Sequence, residues 1–142
     1  MTRDGGVSGA HRWRGISPHR WVASIGILIA LVSAGVHYLV APPQGGGVVA
    51  YVAALGPVWS LLFLITAGCL IAALVVGRLR YAAHVAAAAA LSTYAVALWG
   101  TAIDTASTRG ITTAGLATAL ALHALLLAAI YSPGGVPAWT RR

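Results

Sequence analysis

Between positions 21 and 131 only four residues carry a formal charge, and they fall in two places: Arg78 with Arg80, and Asp104 with Arg109. The oily stretches between these places are long enough to cross a bilayer, which takes about 20 apolar residues for a hydrocarbon core about 30 Å thick. Charged residues make up 8% of the 142-residue chain and hydrophobic ones 59%, against roughly 25% charged for a soluble domain. A water-facing surface cannot be built from so few charges. The expected class is therefore an all-α integral membrane protein.

Turn and charge signals cut the chain into four spans. Residues 1–20 are Gly-rich, polar and basic with no hydrophobic period, which predicts a disordered cytoplasmic tail. The first span, 21–41, stops at Pro42, Pro43 and the Gly45, Gly46, Gly47 cluster, strong punctuation for a loop. The next oily stretch, 48–77, is too long for one perpendicular span, at roughly 45 Å if fully helical. The Gly56-Pro57 pair resolves it, because proline is well tolerated in the first turn of a helix. The second span is thus expected over 57–77, with residues 48–55 at the interface or in a short turn. Arg78 to Arg80 connect to a third span over 81–103, a polar DTASTRG loop follows, and a fourth span covers 111–131. Residues 132–142 form a short cytoplasmic tail rich in helix breakers.

An even number of spans puts both termini on one side. That side would hold Arg3, Arg12, Arg14, Arg20, Arg78, Arg80, Arg141 and Arg142, and the other only Arg109. The positive-inside rule then makes both ends cytoplasmic. Trp21, Tyr81 and Tyr131 fall at the inner boundary and Tyr38, Trp59 and Trp99 at the outer one, as interfacial belts require. A basic leader, an apolar core and Val32, Ser33 and Ala34 also match a cleavable signal peptide. The apolar run continues past Ala34 to full spanning length, which favours retention.

The net charge of +7 comes from nine arginines and no lysine against two acids. These arginines sit at span ends without aromatic interleaving or a basic helix face, so they read as contacts to anionic lipid headgroups rather than to nucleic acid. Cys69 is the single cysteine, which excludes an intrachain disulfide and a thiolate metal cluster.

By depth, Ser33, Thr66, Ser92, Thr93, Tyr94 and His123 form a candidate polar layer near the middles of the four spans. Hydroxyls in membrane helices ordinarily return to the carbonyl four residues back or bond a neighbouring helix. His123 is the stronger case, since an ionisable residue in a span is a functional candidate and should face the bundle interior. The expectation weighed highest is that it donates to Ser92, Thr93 or Tyr94 across the antiparallel third and fourth helices. His37, His84 and His123 differ in depth, so no bis-histidine haem site is expected, and the two acids cannot supply a carboxylate metal site. No catalytic residues, cofactor or metal are expected. Gly26, Ala30 and Ala34 on the first helix, and Gly115, Ala119 and His123 on the fourth, follow the small-xxx-small spacing that permits close helix packing in lipid.

Arginine without lysine, abundant Ala and Gly, four spans and basic tails together resemble the small four-span membrane proteins of high-GC actinobacteria and their phages, some of which are holins. The resemblance covers nearly the whole chain as architecture and carries no motif. It implies a non-enzymatic protein acting by helix association, holin-like, as a homo-oligomer that forms membrane lesions. The residues themselves leave two other readings open: an accessory or assembly subunit docked on a membrane protein partner, and a small proton-linked transporter resting on His123.

Overall fold

The computed structural model describes residues 18–40, 55–106 and 108–132. Within them the chain is four helices: α1 Pro18–Val40, α2 Gly56–Val76, α3 Arg80–Asp104 and α4 Thr108–Tyr131. The expectations for most of the N-terminal tail, the 42–47 loop, most of the 48–55 segment and most of the C-terminal tail fall outside the described residues. All four helices are long and apolar enough to cross a membrane. At 23, 21, 25 and 24 residues they measure about 32 to 38 Å at 1.5 Å per residue.

Helix ends follow local chemistry. Helix α1 begins at Pro18, three residues inside the stretch expected to be tail. Helix α2 has Pro57 in its first turn, where the missing N–H leaves no bond unmade. At its other end Gly77 takes the left-handed conformation, φ 75°, and its N–H returns to the Ala73 carbonyl, a closure that suits a residue without Cβ. Leu79 is left-handed too, at φ 58°, so two residues of the three-residue joint turn the chain straight into α3. The carbonyls at the end of α2 receive the Arg80 guanidinium, whose Nη2 reaches the Leu74 carbonyl at 3.4 Å, a cation at the negative end of the helix dipole.

Buried positions repeat at three and four residues, the spacing of helices packed side by side at shallow angles. Helix α1 buries Ser24, Ile27, Leu31, Gly35 and Tyr38. Helix α4 buries Ala114, Ala117, Ala121, Ala124 and Ala128. The four helices form an antiparallel ring in chain order. Helices α3 and α4, both lined with buried alanines, pack most closely, while α1 and α4 meet only sparsely. One end of the bundle carries Arg20, Arg78 and Arg80, and the other Arg109; the former is called the basic end below.

The outside is apolar along its full length. Ile29, Leu61, Ile65, Val96, Leu116 and Leu126 are all exposed, a surface unlike that of a monomeric soluble protein, where contiguous apolar patches stay small. Four candidate membrane-spanning helices and this outer surface suggest an integral membrane protein.

Candidate functional site

Polar chemistry inside the bundle lies near its two ends. At the basic end, the tight joint sets His84 one turn into α3, where it is fully buried. Its Nδ1 lies 2.8 Å from the Arg80 carbonyl and its Nε2 lies 3.0 Å from Ser24 Oγ on α1. A carbonyl only accepts, so Nδ1 carries the hydrogen; in the neutral ring Nε2 then accepts from the Ser24 hydroxyl. The Tyr131 ring of α4 lies against the imidazole, centroids 5.0 Å apart. Three helices therefore meet at one ring. Among the described residues, three buried side-chain polar atoms have no hydrogen-bond partner: Arg80 Nε and Tyr131 Oη at this end, and Trp59 Nε1 on α2.

A serine oxygen beside an imidazole whose other nitrogen is oriented by an acceptor has the layout of a nucleophile with its base. Here, however, both residues are sealed, with Ser24 and His84 each at 0% exposure. What the pair does in this arrangement is tie α1 to α3 across the middle of the ring.

Toward the opposite end the tie is aromatic. Tyr38 of α1 and Tyr94 of α3 share a hydrogen bond of 2.7 Å between their hydroxyls. The Tyr94 ring also meets Trp59 at 5.3 Å and Phe63 at 5.2 Å, both on α2 and both in the edge-on geometry that aromatic quadrupoles favour. Two further links join neighbouring helices: Ser60 Oγ donates to the Gly35 carbonyl at 2.6 Å, and Trp99 Nε1 donates to Thr118 Oγ1 at 3.0 Å.

The six residues assigned to one polar layer by depth do not converge. Ser33 is exposed on α1 and Ser92 is half-buried on α3. Thr66 is buried and Thr93 exposed; each returns its hydroxyl to its own helix, at Leu62 and Ala89 respectively. Tyr94 is spent on Tyr38. His123, expected inside and bonded to α3, is exposed on the outer face of α4 and makes no hydrogen bond among the described residues. The reason is azimuth. Helix α4 turns the face centred on Ala117, Ala121, Ala124 and Ala128 to the bundle, and at about 100° per residue His123 falls on its flank, about 160° from Ala121 and about 100° from Ala124.

The buried histidine is instead His84, which depth alone had set aside as lying near an end. Its signal was present: Ser24, His84 and Tyr131 all fall within a turn or two of span ends on the same side of the bilayer. Cys69 is exposed on α2. Among the described residues no three His, Cys, Asp or Glu side chains gather as a metal site. No protein family, curated protein or solved structure matches the chain.

Proposed function

We propose that this chain is a non-enzymatic protein of the bacterial inner membrane that works by helix association, with both termini in the cytoplasm and its arginines at anionic headgroups. One observation carries the reading. Ser24 and His84, the most deeply buried polar side chains, tie α1 to α3, and buried Ser60 ties α2 to α1, whereas the His123 imidazole is left on the outside. Chemistry that remains available points toward neighbours in the membrane.

The sharpest form of this reading is holin-like: copies accumulate, associate, and at a critical density bring outward polar groups of several copies together around water. Induced expression in a bacterium is expected to leave growth normal for a delay and then depolarise the membrane abruptly, followed with a potential-sensitive dye. Uninterrupted growth at high expression removes the lesion-forming role. Purification with one stoichiometric partner of different sequence replaces it with the accessory-subunit role.

A further inference from the structure

We infer that the outer face of α4, centred on His123, is the surface through which two copies of this chain associate. The inference rests on the membrane location and self-association proposed above and gives them a surface.

His123 lies about 5 Å from the middle of α4 along its axis, and eight residues, or about 12 Å, from Tyr131 at the helix end. An imidazole cannot span that distance to reach the headgroups, so it faces hydrocarbon with its hydrogen-bonding nitrogens unmet. Other outward polar groups have a remedy at hand. Thr93, Thr112 and Thr113 bond the carbonyls four residues back on their own helices, and a serine hydroxyl such as Ser33 can turn the same way. An imidazole differs, because even when one nitrogen returns to its own helix, as His84 Nδ1 does, the second needs a partner from elsewhere. In hydrocarbon that partner must be another polypeptide.

A second copy of this chain is the occupant the geometry favours. Neutral imidazole has one donor and one acceptor nitrogen, so the ring of one copy can donate a hydrogen bond to the same ring of a second copy. Copies inserted with one topology share an axis along the membrane normal, which sets their α4 helices parallel and brings same-numbered residues together. One and two turns toward the opposite end from His123 lie Ala119, exposed, and Gly115, half-buried. A Cβ placed on Gly115 would meet nothing within 4 Å. Two such faces can approach closely enough for the imidazoles to meet. The rest of the bundle leaves this face unclaimed, since α4 packs along α3 and touches α1 only sparsely.

The test uses the full chain in lipid with Cys69→Ser as background. Ala119→Cys is expected to form an oxidative cross-link between copies, while Ile65→Cys, exposed on α2, does not. His123→Leu should weaken dimerisation roughly three- to tenfold, the range of one interhelical hydrogen bond in lipid, measured by single-molecule photobleaching at graded protein-to-lipid ratios. His123→Asn, which keeps a donor and an acceptor, should restore most of it. Neither variant should alter the thermal stability of the monomer. Cross-linking through Ile65→Cys instead of Ala119→Cys overturns the face and leaves self-association standing. Monomers at every ratio overturn both. Undiminished dimers in His123→Leu overturn the role of the imidazole, and an Ala119→Cys cross-link to a different protein overturns the choice of occupant.

Discussion

Truncating His84 to alanine removes a ring that three helices share, leaves the Ser24 hydroxyl without its acceptor, and opens space beside Tyr131. The expected cost is about 2 to 3 kcal/mol, combining an interhelical hydrogen bond of about 1 kcal/mol with the loss of packed volume. Ser24→Ala should cost less, about 0.5 to 1 kcal/mol, because it removes one bond and little volume. In the double variant the two losses should not add, and the shortfall measures the bond itself. Reversible unfolding in mixed micelles reads all three; strict additivity would mean that the pair contributes nothing. His84 and His123 show what sequence can and cannot say at this scale. Depth follows from counting residues at 1.5 Å each, which is why His123 drew attention. Azimuth does not follow, because in an oily helix the lipid face and the protein face are both apolar, and hydrophobicity cannot tell them apart.

Existence and approximate extent of the four helices were legible, because run length and charge report directly on what can cross hydrocarbon. Gly56-Pro57 cut an overlong run at the place where α2 begins. The starts of α1 and α4 were each read three residues late, since a helix continues past the oily core until its backbone bonds run out, and neither Arg20 nor Thr108 opposes that. Pairing between helices depends on small features that hydropathy ignores. At Gly35 an added Cβ would stand 2.8 Å from Leu64 Cγ and 3.4 Å from the Leu64 backbone nitrogen, so α1 and α2 approach each other through a missing side chain. Gly26, on the same helix, has nothing within 4 Å of such a Cβ. Gly35→Ala is therefore expected to destabilise the bundle by about 1 kcal/mol or more through overpacking. Gly26→Ala should be neutral or stabilising by up to about 1 kcal/mol, from helix propensity alone. Thermal unfolding of the two variants side by side decides this, and equal behaviour would refute the close approach.

For the molecule as a whole, orientation in the membrane follows from which end collects arginine. A Thr105→Cys variant in the Cys69→Ser background is expected to react with an impermeant maleimide added outside intact cells, and an Arg78→Cys variant only after lysis. The reverse pattern would invert the topology. Short joints made the pairing of α2 with α3 and of α3 with α4 legible beforehand, but nothing in the sequence announced the ties between α1 and α3. Those ties have a kinetic consequence. Helices α3 and α4 meet through residues near in sequence, so their hairpin can close as soon as it is made. The contacts that hold α1 to α3 span 60 residues at Ser24 and His84 and 56 at Tyr38 and Tyr94, and closing long loops delays such contacts. Helix α1 can pack on α2 as soon as both are made, whereas its ties to α3 close only after α3 has arrived. Under mechanical pulling the closely packed, alanine-lined α3–α4 hairpin should outlast the rest of the bundle.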